Sequence, residues 1–434
     1  TLNFRYQQCH HRKGLPAAAY MASTNFTAAL QGEPSLKHIK RSLVKNEDRH
    51  TRAEMGDSRT TQINPLENIA EEEKVPEAIL RKYEFCQKLS YGAYGVVWKV
   101  RDKSSRKFVA LKKMYQCFRN AEDAQLTYRE LMYLHEFKGH DNIVLLKDLI
   151  GDKSSNDIWC AFQYMGADLR AVIAADVLSD THRKYVIYQI LRGLKALHTA
   201  EVIHRDIKPS NILMDQNCNV RICDLASCRS LRETHVEGVN RDILTQYIGT
   251  RWYRAPECIL GSQVYGKPVD LWGVGCVLAE MLSNGRPVFP GKSTLDQLRC
   301  IIQVTGRPTV EDIRSTGSPV AEIIMADVVQ PEPLALSELY PEASAESLDM
   351  VRMMLQFNPN RRVLVQQALR HPFVADFHNP DDEPNHYRIA ALPMTDSHRH
   401  SSDYSRKATW TDLKNYHVQK LEREYHMEVS FQDA

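Results

Sequence analysis

The sequence predicts an α+β fold of two lobes, a small one built on an antiparallel sheet and a larger, mainly helical one. Three observations carry this. Residues 83–164 hold short β-rich runs separated by turn residues, and from residue 179 onward the apolar positions recur at helical spacing. Between them and the rest of the chain, residues 203–226 form a loop and hairpin dense in charged and amide side chains. A chain of 434 residues, 43% hydrophobic and 25% charged, has a globular composition and the length for two sizeable cores.

Charge and cysteine usage narrow the function classes. Lys and Arg number 56 against 54 Asp and Glu, a net charge of +2, which argues against a protein held to nucleic acid by a general basic field. The ten cysteines contain no Cys-x-x-Cys pair and lie mostly inside apolar runs, as reduced thiols do, so zinc and disulfides are not expected. No apolar run approaches the roughly 20 residues of a membrane helix, so no membrane span is expected.

Taken in order, residues 1–78 are polar and without sustained periodicity, and read as a disordered extension. Its basic run Lys37-His38-Ile39-Lys40-Arg41 fits a solvated charge cluster better than a docking or localisation signal. The small lobe is expected over 79–165. Strands at 83–90, 95–101 and 108–114 form a meander, followed by a helix over 121–137 and strands at 143–150 and 157–164. The first turn, from Ser90 through Gly92 and Gly95 to Val97, exposes bare backbone suited to close approach by phosphates. A dinucleotide-binding reading fails because no helix follows this loop. Residues 162–166 read as the hinge into a large lobe over 166–384. There Val186, Ile190, Leu194 and Leu197 mark one face of a helix over 179–199. Residues 268–283 are apolar nearly all round, as a buried central helix would be, with Gly273 and Gly275 implying close backbone packing. Asp270 at its start reads equally as a cap for the loop at 203–211 or as an ordinary N-terminal acid. The extension 385–434 includes a helix over 410–425 with Trp410, Leu413, Tyr416 and Leu421 on one side.

The motifs that carry chemistry are specific in combination. His204-Arg205-Asp206, with Asn211 five residues after the aspartate and Asp224 beyond a short hairpin, resembles the catalytic loop and metal aspartate of eukaryotic protein kinases. Phosphoryl transfer needs positioning and neutralisation rather than covalent help. Asp206 suits the base, Lys208 the cation that meets building charge, and Asn211 and Asp224 the hard oxygen ligands of Mg²⁺. Either tripeptide alone would be chance; in this order they are not. Val109-Ala110-Leu111-Lys112 and Glu130 resemble the lysine and glutamate that hold ATP phosphates. The resemblance implies an ATP site lined by Leu89, Ser90, Gly92, Gly95, Val97, Ala110, Lys112, Gln163, Met165 and Leu213, with Mg²⁺ as cofactor.

Several features narrow this to the mitogen-activated protein kinases, most like their atypical extracellular-signal-regulated branch. Thr245-Gln246-Tyr247 before Ile248-Gly249-Thr250-Arg251-Trp252-Tyr253-Arg254-Ala255-Pro256-Glu257 is similar to the T-x-Y lip, and an extra helical segment over about 309–344 sits where that family has its insert. Residues 379–384 resemble its acidic docking site. The resemblance implies a monomer in the cytoplasm, and also in the nucleus, phosphorylating Ser or Thr followed by Pro and switched by phosphate on Thr245 and Tyr247, self-applied in this branch. Phospho-Thr245 would draw in Arg129, Arg205 and Arg229, and phospho-Tyr247 would pair with Arg251 and Arg254. Asp381, Asp382 and Glu383 would take docking peptides with basic residues. The chain departs from the pattern at Asp224-Leu225-Ala226, where Phe and Gly are usual, at Ser90, at Gln246 and at Asn379. The triplet and Ser90 favour the alternative of a catalytically weak or dead scaffold, Gln246 bears on recognition by an upstream enzyme and Asn379 on the strength of docking; the survival of Lys112 and Asp206 favours an active kinase.

Overall fold

The computed structural model describes residues 73, 75–92, 95–151, 156–231, 251–262, 265–386 and 407–408. The expected disordered extension, except at its final residues, and the expected helix over 410–425 lie outside these residues, as do Thr245, Gln246 and Tyr247.

The small lobe is a five-stranded antiparallel sheet in the order β1-β2-β3-β5-β4: β1 (Tyr83–Gly92), β2 (Gly95–Asp102), β3 (Phe108–Met114), β4 (Leu146–Gly151) and β5 (Ile158–Gln163). Strand alternation gives its two faces to different cores. Val96, Trp98, Val100, Val109, Leu111, Trp159 and Ala161 form the outer face, covered by Val75 and by Ile79 of helix α1 (Glu77–Lys82). The opposite face carries Val97 paired with Lys112, then Ala110 paired with Phe162. Glu73 also reaches the sheet: it accepts from the Tyr115 hydroxyl at 3.1 and 3.0 Å and lies 3.4 Å from Lys113 Nζ.

Helix α2 (Ala121–Glu136) starts at Asn120, whose side chain accepts from Asp123 N. Its buried stripe includes Ala124, Leu131 and Leu134, and also Arg129 and Glu130. Residues 143–145, expected as part of a strand, belong to no strand. Ile143 bridges to Ile222 of the other lobe, with Val144 N donating to Ile222 O at 2.9 Å. The apolar run reads the same whichever lobe it pairs with, and here a long-range partner takes it.

The hinge leads to β6 (Ala167–Asp168), α3 (Leu169–Ala174) and α4 (Asp180–Thr199), which opens on a capping box between Ser179 and His182. The loop after β7 (Val202–Ile203) feeds the hairpin β8 (Ile212–Met214) and β9 (Val220–Ile222), and β10 (Arg229–Ser230) pairs back on β7. A short helix α5 (Pro256–Ile259) precedes α6 (Pro268–Leu282), buried along almost its whole length. A Cβ on Gly273 would lie 2.8 Å from Ile207 O, and one on Gly275 would lie 2.8 Å from Leu355 Cδ2, so the glycines permit the close packing their low helix propensity implied. Glu257 and Arg362 form a buried bidentate pair at 2.6 Å with the guanidinium over the Trp272 ring. Breaking such a pair costs about 3–5 kcal/mol, so it pins the start of α5 to the base of the lobe. The expected insert holds the helices α8 (Val310–Ser315), α9 (Ala321–Ala326) and α10 (Leu336–Leu339), after α7 (Thr294–Thr305). Among the described residues no helix is long and apolar enough to cross a membrane.

Candidate active site

The sequence-predicted residues lie on elements of both lobes, and several of them meet. Lys112 projects from β3 on the same face as Ala110 and Val97, and its Nζ lies 2.7 Å from Glu130 Oε1 on α2. Burial works against the ammonium charge, but Glu130 and then Asp224 outweigh it, so the lysine is held well above its ordinary range and stays charged. Strand alternation also puts Phe162 on this face, beside Ala110. Phe162, expected at the start of the hinge, thus shares the face of Lys112, at a period of two from its partner Cys160.

The loop after β7 is built around its buried histidine. Asp206 N donates to His204 Nδ1 at 3.3 Å, and His204 Nε2 donates to Cys223 O at 3.0 Å, which ties the loop to the residue before Asp224. Asp270 of α6 accepts from His204 N at 2.9 Å and from Arg205 N at 2.7 Å, and meets His198 Nε2 at 2.8 Å. Burial alone would raise the Asp270 carboxyl, but His198 and the loop amides hold it below the usual range. The capping role of Asp270, one of two readings of the sequence, is the observed one. Arg205 and Asp224 both adopt left-handed backbone, φ 72° and 66°. Such strain costs about 1–3 kcal/mol per residue, and the bond from Arg205 N to Asp270 offsets part of it.

These constraints deliver one carboxylate in a defined pose. Asp206 Oδ2 accepts from Lys208 Nζ at 2.7 Å and from Asn211 Nδ2 at 2.9 Å. Its Oδ1 takes no bond among the described residues. Asn211 spends its side-chain amide nitrogen on Asp206, which leaves its side-chain Oδ1 for a cation, while Cys223 N donates to the backbone carbonyl of Asn211 at 2.9 Å, so Asn211 stands beside the stem of Asp224.

The cleft's sequence and those of known proteins agree. Residues 83–374 match the protein kinase domain family. The chain is 45% identical to extracellular signal-regulated kinase 2 of Dictyostelium discoideum over 341 residues, 79% of this chain and 92% of that protein. It belongs to the mitogen-activated protein kinase family. It is also 40% identical to mitogen-activated protein kinase mpkB of Aspergillus fumigatus over 72% of this chain and 87% of that protein. Mitogen-activated protein kinase 15 of Xenopus laevis is 43% identical over 74% of this chain, an alignment spanning only 55% of that longer protein. The bilobal fold expected from the sequence is the family's fold, and the family's members are serine/threonine protein kinases.

The remaining residues of the kinase's cleft divide by exposure. Leu89 is 39% exposed, Met165 is buried beneath the hinge, and Leu213 lies half-buried on β8 opposite Asp168. Gln163, the last residue of β5, donates its N–H to Leu145 O at 3.0 Å, just ahead of β4. Gly95 is obligatory for a reason other than phosphate approach: a Cβ there would sit 2.1 Å from Lys113 O, whereas one on Gly92 would meet nothing within 4 Å. Leu225 is fully buried in the core beside α2, and the turn Leu225–Ser227 closes with Cys228 N on Leu225 O. Ala226 has no positive φ there, so alanine fits without strain.

Arg129, Arg205 and Arg229 come together. Burial first, then Arg129 and Arg205, push the Arg229 guanidinium down to about 9, the mark of crowded like charges. Arg251 is half-buried and donates to Lys292 O at 3.3 Å, and Arg254 N donates to Arg251 O at 3.1 Å. Of the three expected docking acids, one is buried. Glu383 is only 3% exposed and accepts from His378 Nδ1 at 2.8 Å and Asn379 N at 3.2 Å, with Lys195 Nζ at 3.7 Å. Its carboxylate braces the fold. Asp381 remains exposed and Asp382 is partly so.

Proposed function

We propose that this kinase is catalytically active and phosphorylates Ser or Thr in protein substrates, at sites followed by Pro. The observation that carries the reading is the formed Lys112–Glu130 pair at 2.7 Å, facing an Asp206 already oriented by Lys208 and Asn211. The donor set suits ATP with Mg²⁺: one carboxylate and one amide carbonyl are the hard oxygens such a metal takes from protein when substrate phosphates supply the rest. ATP supplies the phosphoryl group. Lys112 would hold its inner phosphates, with Asn211 and Asp224 holding the metal.

Asp206 acts through Oδ1, positioned to accept the proton of the substrate hydroxyl while Oδ2 stays bound to Lys208 and Asn211. Lys208 neutralises charge as it accumulates on the transferred group. Arg129, Arg205 and Arg229 form the clamp for phosphate on Thr245, and Arg251 and Arg254 take phosphate on Tyr247. Basic docking peptides bind at Asp381 and Asp382. The scaffold reading draws on Leu225, Ala226 and Ser90, yet Leu225 is fully buried in the core and Ala226, half-buried beside it, has no positive φ, which weighs against it.

The test is incubation of the purified chain with Mg-ATP and a Ser-Pro peptide, beside Asp206→Ala, with mass spectrometry of both the peptide and the segment bearing Thr245 and Tyr247. Peptide phosphorylation by the parent and a loss of at least about a hundredfold in the variant are expected. Nucleotide binding without any transfer by the parent, lip-phosphorylated or not, would establish the scaffold instead.

A further inference from the structure

Arg205 is gripped twice by one short stretch of chain. Its backbone N–H donates to Asp270 Oδ1 at 2.7 Å, and its guanidinium lies 5.2 Å from the centre of the Tyr265 ring. Tyr265 stands just before α6, half-buried against the large core. All three clamp arginines act on it: burial lifts its hydroxyl above the usual range, while Arg205, Arg229 and Arg129 pull it back. A ring with its negative face to a guanidinium attracts it without supplying a carboxylate that would compete with an incoming phosphate. Arg205 also immediately precedes Asp206, so whatever fixes its side chain fixes the loop that carries the base.

We propose that Tyr265 is a positioning residue of this kinase, whose aromatic face holds Arg205 in the three-arginine clamp so that an anion captured there acts on the Asp206 loop. The proposal rests on the clamp reading of Arg129, Arg205 and Arg229. No aspartate or glutamate could replace the ring in this role, because its charge would fill the clamp.

The experiment compares kcat/KM for a Ser-Pro peptide between lip-phosphorylated and phosphatase-treated protein, with phosphate on Thr245 counted by mass spectrometry. The quantity read is the ratio within each variant. Tyr265→Phe keeps the parent ratio, because the ring remains; Tyr265→Leu lowers it about tenfold, the worth of a partly desolvated cation–π contact. If the leucine variant fails to fold, phenylalanine at 265 bearing one, two and three ring fluorines grades the ring's charge at constant shape, and the ratio falls step by step. A leucine variant with the parent ratio overturns the proposal, as does a phenylalanine variant as impaired as leucine, or a ratio indifferent to fluorination. A parent ratio of one overturns the clamp reading itself, and the proposal with it.

Discussion

The two walls of the cleft are held in opposite ways. Around the base, the amides of His204, Arg205 and Asp206 all donate to side chains, two of them to the fully buried Asp270, and Gly273 lies directly beneath Ile207. Across from it, among the described residues, the glycine-rich turn is held by backbone pairing, Ser90 with Val97 and Gly92 with Gly95, and by Lys88 Nζ 4.6 Å from the ring of Tyr91, which is 71% exposed. The position of the base is therefore a property of the large-lobe core, set before any ligand arrives. The glycine-rich turn belongs to one hairpin, so its order is local to that hairpin.

The strongest way to break this contrast is Asp270→Ala. Two buried amides and His198 lose their acceptor, so a loss of about 3–5 kcal/mol in urea unfolding and at least a hundredfold in kcat are expected. Parent-like kinetics would show that the loop holds itself. The same residue gives a pH dependence. Its folded carboxyl lies below the ordinary value. Its contribution is therefore fully present above about pH 4 and is lost as pH falls through the folded value. The stability gap between the parent and Asp270→Asn should narrow below pH 4 in unfolding titrations.

Gly273→Ala comes next. Its methyl group meets Ile207, so overpacking of about 1–3 kcal/mol should appear chiefly as lowered kcat with the ATP KM little changed. The opposite wall answers in the other parameter: Gly95→Ala, driven against Lys113 O, should raise the ATP KM, while Gly92→Ala costs under about 1 kcal/mol in stability. Equal KM effects at the two glycines would remove the distinction between them. The smallest effects separate the docking acids. Asp381→Asn should weaken a basic docking peptide about two- to threefold, most at low salt, by titration calorimetry. Glu383→Gln should instead lower the thermal midpoint and leave the peptide's affinity within twofold.

What was legible in the chain was local. The spacing of Asp206 and Asn211, the β-rich runs around Lys112 and the helical period through Val186 and Leu194 each depend on neighbours a few residues away. What was not legible depends on partners far along the chain. Asp270 could be weighed as a cap but not assigned, because its amides lie 65 and 66 residues back. Tyr265 has no motif around it. Glu383 follows Asp381 and Asp382 and looks like a third surface acid, and only its contacts with His378 and Lys195 bury it. The run from Ile143 has the composition of a strand; the choice of Ile222 as its partner is written in the other lobe.

One contact near the end of the large lobe reaches further than its size suggests. His386 Nε2 meets Glu136 Oε1 at 2.8 Å, its ring packs on Phe137 at 5.0 Å, and its N–H donates to Thr199 at 2.8 Å. Glu136 ends the helix whose middle presents Glu130 to Lys112. That helix is thus a lever clasped at its far end by His386. Cutting the chain before His386 would leave Lys112, Glu130 and Asp206 in place and still release the far end of the helix that carries Glu130.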